Sequence, residues 1–222
     1  TGGEPFMNPD IIDMLRLSLK SGFQVLVLSN GLRPIEINFK RLIKLPNLKN
    51  LTIRISIDHY EKCLHEKIRG NNTWNKLLNN IKWLYKNNFN IAFASRLERN
   101  ETEKEKRLGF DKLFKDLNLS IDVNNNNFLV LFPPMNKNLP ATEISQECWG
   151  VLKKDPNTIM CSSSRMVVHK KEDANTKVLA CTLITKHKDF ELGKGLKDSK
   201  KFVYLNHPYC SQFCVLGNSS CS

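Results

Sequence analysis

The sequence predicts an α/β protein built on a parallel sheet, followed by a small, irregular, cysteine-rich region. Three observations predict it. Apolar strand patterns alternate with amphipathic helix patterns through the first two-thirds of the chain, an order that needs crossovers and favours parallel pairing. The rhythm stops at Pro133-Pro134. From about Thr158 onward the chain holds five cysteines, Cys161, Cys181, Cys210, Cys214 and Cys221.

The elements follow in order. The opening Thr1-Gly2-Gly3-Glu4-Pro5 reads as a loop at a strand end. Consecutive glycines let the backbone approach a ligand with no side chain in the way, and Pro5 ends any ladder because it has no N–H. Glu4 is then a carboxylate suited to accept hydrogen bonds from a ligand ammonium. A helix over 9–20 follows, with Asn8 as N-cap, Pro9 in the first position, Gly22 past its end and Ile11, Ile12, Leu15 and Leu19 as its apolar stripe.

Strand patterns run over 24–29, 51–57, 90–96 and 128–132, and further helix patterns over 36–44, 74–87 and 102–117. Strand parity divides 51–57 into two faces, with Ile53, Ile55 and Ile57 on one and Thr52, Arg54 and Ser56 on the other, and Asp58 following. The isoleucines suit a layer of helices. Arg54 then either faces a polar interior or makes an ion pair. In the next strand Ala92, Ala94 and Arg96 share a face, with Arg96 at the C-terminal end, where parallel α/β proteins carry working groups. Asn30, Ser56 and Asp58 also stand at strand ends; as plain structure, Asn30-Gly31 is a turn and Asp58 a helix cap. His59 and His65 read as surface residues, and the isolated Cys63 and Cys148 as residues without a role.

Composition narrows the class. At 41% apolar the chain can bury a real core, and it contains no uncharged apolar run of ~18 residues that could span a membrane. The formal charge of +12 invites a nucleic-acid reading. Against it, lysine greatly outnumbers arginine, about 25 asparagines accompany it, and no basic stripe is interleaved with aromatics. Seven cysteines is an odd total and no secretory signal is visible, so metal binding explains the cysteines better than disulfides and the reading is cytoplasmic. Zinc favours paired Cys-x2–4-Cys knuckles, which only Cys210 and Cys214 supply, whereas iron–sulfur clusters accept more varied spacing.

With Gly-Gly-Glu-Pro ahead of a helix, the strand ending in Ser29-Asn30-Gly31, and Ile55-Ser56-Ile57-Asp58 followed by Ile68-Arg69-Gly70, the chain resembles the radical S-adenosylmethionine (SAM) enzymes. An open doubly wound sheet fits the alternation as well as a barrel does; the resemblance points to a partial TIM-type (β/α) barrel over 1–134. It implies that Gly2, Gly3, Glu4, Pro5, Asn30, Ser56, Asp58 and Arg96 bind SAM. Cleavage of SAM to a 5′-deoxyadenosyl radical would then abstract hydrogen from a substrate. The family's Cys-x3-Cys-x2-Cys loop for the catalytic [4Fe–4S] cluster does not occur here, where the first cysteine is Cys63, so the resemblance places that loop upstream of Thr1.

The segments around Cys161, Cys181 and Cys210 resemble the auxiliary-cluster (SPASM or twitch) extension of these enzymes. Residues 158–222, joined through a linker over 135–157, would hold one auxiliary [4Fe–4S] cluster on four of Cys161, Cys181, Cys210, Cys214 and Cys221. Family partners would be a peptide, protein or small-molecule substrate and a reductant such as ferredoxin or flavodoxin. The alternative is a non-catalytic iron–sulfur or zinc protein serving electron transfer.

Overall fold

The computed structural model describes residues 3–98, 100–169 and 173–217. Gly2 and Cys221, both expected at binding sites, lie outside the described residues. The chain divides into two compact units, Thr1–Leu131 and Phe132–Ser222.

The first unit is a mixed α/β structure around a sheet of four strands, β1 (Val25–Ser29), β2 (Leu51–Ser56), β3 (Asn90–Arg96) and β4 (Leu129–Phe132), in that spatial order. β1 pairs parallel with β2, placing Ser29 beside Ile55, and β2 pairs parallel with β3, placing Ser56 beside Ala94. The helices are α1 (Ile11–Lys20), α2 (Arg33–Ile37), α3 (Phe39–Leu42), α4 (Lys62–Arg69), α5 (Trp74–Lys86) and α6 (Glu103–Asp116).

Register explains the core. Val27, Ile53, Ile55, Ile91 and Phe93 share one sheet face and join a single cluster with Leu15 and Leu19 of α1, Leu77 and Ile81 of α5, and Phe110 and Phe114 of α6. Full burial of a side chain such as Ile53 or Ile55 contributes about 1.5–3 kcal/mol. The other face carries Leu26, Thr52, Arg54, Ser56, Ala92 and Ala94, with Arg54 buried and Leu26 partly exposed.

Two helices differ from expectation for local reasons. Helix α1 begins at Ile11 because the Asn8 side chain accepts from the Asp10 amide at 2.9 Å, forming a turn ahead of the helix. The single helix expected over 36–44 is instead α2 and α3, which meet at Asn38. The Asn38 side chain donates to the carbonyl oxygens of Pro34 at 2.9 Å and Phe6 at 3.4 Å, competing with the helical ladder.

The second unit contains α7 (Glu147–Val151), α8 (Met160–Ser163) and an antiparallel sheet of three short strands, β5 (Met166–Val168), β6 (Lys177–Leu179) and β7 (Glu191–Gly193). The expected irregular region therefore holds a regular sheet. Residues Cys210–Val215 form one π-helical turn. That turn is fastened at two points. Gln212 exchanges two side-chain bonds with the Asn136 backbone, at 2.8 and 3.0 Å, and the Lys154 ammonium donates to the Cys214 carbonyl.

Candidate functional site

The C-terminal edge of β1, β2 and β3 collects the described sequence-predicted residues of the first unit. Glu4 is tied to the end of β1. Its Oε1 accepts from the Ser29 hydroxyl at 2.9 Å and the Phe6 amide at 3.2 Å, while Oε2 accepts from the Asn30 amide at 2.7 Å. A carboxylate has about four acceptor positions, so roughly one remains for a ligand donor. Gly3 precedes it with φ +60°, and a Cβ there would meet nothing. Its backbone thus faces open space in a conformation that favours glycine. Pro5 is buried behind it.

The turn after β1 is fixed from both sides. Asn30 Oδ1 accepts from the Leu32 amide at 2.9 Å, and the Gly31 carbonyl accepts from buried Asn80 at 2.9 Å. Gly31 has φ +68°, and a Cβ there would lie 2.7 Å from Leu77 Cδ1 and 2.9 Å from Ile55 Cγ2. Only glycine fits this corner unstrained.

After β2, half-buried Ser56 is followed by Asp58, which is 2% exposed. Asp58 does not cap the next helix. Its carboxylate is ion-paired with Arg69 at the end of α4 and lies 3.5 Å from the Arg96 Nε, and its carbonyl accepts from buried Ser95 at 3.0 Å. Arg96, at the end of β3, leaves 65% of its side chain in solvent while Asp58 holds its Nε end. A guanidinium presented this way is suited to bind a carboxylate in a fork. Arg69 was not singled out in the sequence, although its place in Ile68-Arg69-Gly70 was.

His59 and His65, expected at the surface, are buried. The Glu61 amide donates to His59 Nδ1 at 2.9 Å, so the neutral ring carries its proton on Nε2, which faces Glu101 Oε1 at 3.7 Å. The other Glu101 oxygen pairs at 2.8 Å with Lys106, whose side chain is fully buried. Burial, then the Lys106 charge, pushes the His59 pKa down; burial does the same to His65. His59, Tyr60, Glu98 and Glu101 line a cavity of about 360 Å³ outside the strand ends. Lys106 lies in a strongly charged helix pattern that gives no sign of its burial.

In the second unit Cys161, Cys181, Cys210 and Cys214 line one small, apolar cavity with Met160 and Tyr209. Burial raises the Cys161 thiol pKa and pushes Cys210 up to about 11, with neighbouring cysteines adding to both. Without a metal these two thiols stay protonated at neutral pH. Among the described residues no three His, Cys, Asp or Glu side chains converge closely enough for a single metal ion. Iron–sulfur clusters are held by cysteine thiolates, and the donor set here is of that chemistry, around a cavity of about 20 Å³ that is no larger than one water molecule.

Comparison with known proteins matches the first unit to a family. Residues 1–107 match the family model of the Radical SAM superfamily, and this stretch is a domain of that superfamily. A search of curated proteins finds no match. Among solved structures the chain is similar to SuiB of Streptococcus suis in two forms. The form bound to S-adenosylmethionine has a TM-score of 0.45 and 12% identity over 60% of this chain and 28% of that one. The form bound to the precursor peptide SuiA has the same score and identity over 72% of this chain and 31% of that one. The chain thus spans less than a third of the SuiB length, and a likeness at this score does not establish a shared fold. No helix among the described residues is long and apolar enough to cross a membrane.

Proposed function

We propose that the chain binds SAM along the C-terminal edge of β1, β2 and β3, and an auxiliary [4Fe–4S] cluster in its second unit, as part of an enzyme acting on a peptide or protein. The observation that carries this is the gathering of Glu4, Asn30, Ser56, Asp58 and Arg96 on one sheet edge within the stretch that matches the family model. On this reading the sheet is part of a (β/α) barrel spanning 1–134, residues 135–157 are a linker and 158–222 are the cluster region.

Each residue has a distinct task. Gly2 and Gly3 would let the loop backbone close on the ligand, Pro5 is buried, and Glu4 offers its remaining acceptor position to the ligand ammonium. Arg96, steered by Asp58, receives the ligand carboxylate. Asn30 and Ser56 shape the ribose side. Four of Cys161, Cys181, Cys210, Cys214 and Cys221 hold the cluster. When bound, SAM would supply radical hydrogen abstraction after one-electron reduction by the family's catalytic cluster, and the chain's own residues would orient it and exclude water. A peptide or protein substrate is preferred to a small molecule because enzymes with similar auxiliary extensions often act on peptides. The protein would work in the cytoplasm with a ferredoxin or flavodoxin as reductant.

Anaerobic reconstitution of the chain with iron and sulfide tests the cluster. Four irons per chain with thiolate-to-iron absorption, lost in Cys210→Ala, are expected. A chain that takes up zinc tightly but assembles no cluster would favour the non-catalytic alternative.

A further inference from the structure

We infer that the segment Phe202–Asn206 is a docking edge for an extended, acidic stretch of peptide. This surface lies on the second unit, where the inward-turned Leu205 also lines the cysteine cavity, while the outward face that carries Phe202 and Tyr204 needs neither SAM nor a cluster to work.

Three independent observations converge. First, burial alternates with a period of two along the segment, as in an extended chain. Val203 and Leu205 turn inward onto the core of the unit, while Phe202 and Tyr204 are 93% and 78% exposed. Two large rings exposed to water at alternate positions are a costly surface to leave uncovered, and aromatic rings are strong anchors at low entropic cost. Second, the backbone N–H and C=O groups of residues 202–206 make no hydrogen bond with any described residue. An extended segment with free donors and acceptors can pair with an added strand. Third, the stretch leading into it, residues 194–201, carries Lys194, Lys197, Lys200 and Lys201 against the single Asp198. Asp198 pairs with Lys201 at 2.9 Å, and the other three lysines are exposed and make none of the described ion pairs.

These features select one occupant. Unpaired backbone asks for another backbone, which a lipid surface lacks. The exposed rings ask for apolar contact at alternate positions, and the lysines ask for carboxylates. An extended peptide carrying acidic side chains meets all three demands.

The test is a fluorescence-anisotropy titration of the full chain into a labelled octapeptide alternating glutamate and threonine. Saturable binding that weakens with added salt is expected. The double variant Phe202→Ser/Tyr204→Ser should bind roughly tenfold more weakly or worse, with an unchanged circular dichroism spectrum because both side chains are exposed. A peptide N-methylated at alternate amides should lose binding to the same extent, which a purely ionic contact would not produce. Absence of binding, equal binding of the lysine–threonine peptide, or no change in the double variant would overturn the inference. So would binding only to anionic phospholipid vesicles. None of these outcomes bears on whether the chain takes up iron or SAM.

Discussion

The main-chain amide of Asn30 donates to the Glu4 carboxylate at 2.7 Å, and the Ser29 hydroxyl donates to the same carboxylate at 2.9 Å. The glycine loop and the end of β1 are therefore one hydrogen-bonded unit. Glu4 sets the shape of the edge and, on the proposed reading, offers charge to SAM as well.

Replacing Glu4 tests both parts. Glu4→Ala leaves three donors without their acceptor and should cost about 1–3 kcal/mol in a urea titration. SAM affinity should fall with it. Glu4→Gln keeps one oxygen acceptor but turns an NH2 group toward a donor, so it should lose less stability than the alanine variant while still weakening SAM.

Asp58 and Arg96 should separate stability from binding. Asp58 is 2% exposed but its partners Arg69 and Arg96 are 27% and 65% exposed, so Asp58→Asn loses charged hydrogen bonds without leaving a buried cation and should destabilise by about 1–3 kcal/mol. Arg96 is largely in solvent, and Arg96→Gln should change stability by less than about 1 kcal/mol. A calorimetric SAM titration of Arg96→Gln should nonetheless show a loss of at least about tenfold if the guanidinium receives the ligand carboxylate.

Gly31→Ala should be strongly destabilising for a reason unrelated to ligands. The added Cβ meets Leu77 Cδ1 at 2.7 Å and Ile55 Cγ2 at 2.9 Å, and φ is +68°. Both neighbours are fully buried core residues. The combined strain and overpacking should exceed about 1–3 kcal/mol, read as a drop in melting temperature of the purified variant.

The first unit should weaken in mild acid. His59 and His65 both have folded-state pKa values below the ordinary 6.5 because burial disfavours the charged ring. Below that value the unfolded chain binds more protons than the folded one, so stability falls as pH drops through about 6.5 and below. Urea midpoints measured from pH 7.5 to 5 should decline, and His65→Phe should flatten part of the decline.

Much of the first unit was legible in the sequence because its signals are long and periodic. Val25–Ser29 is apolar at nearly every position, and the Ile53, Ile55, Ile57 alternation fixed both the strand and its buried face. Strand parity also placed Ser56 and Arg96 on one face. Side-chain pairings at the edge were not legible, since nothing in the spacing says that Glu4 bonds the end of β1 or that Asp58 turns to Arg69 instead of capping a helix. His59, His65 and Lys106 were missed because they sit among charged neighbours, and their burial is produced by tertiary contacts from Tyr60, Trp74 and Glu101. The sheet of the second unit escaped because each strand has only three residues, too short to show a period.

The most direct measurement is an isothermal titration of SAM into the full chain, run beside Glu4→Ala and Arg96→Gln. The account predicts saturable one-site binding that both substitutions weaken, with Arg96→Gln retaining wild-type stability. No binding, or binding indifferent to both residues, would contradict the placement of SAM at the ends of β1, β2 and β3.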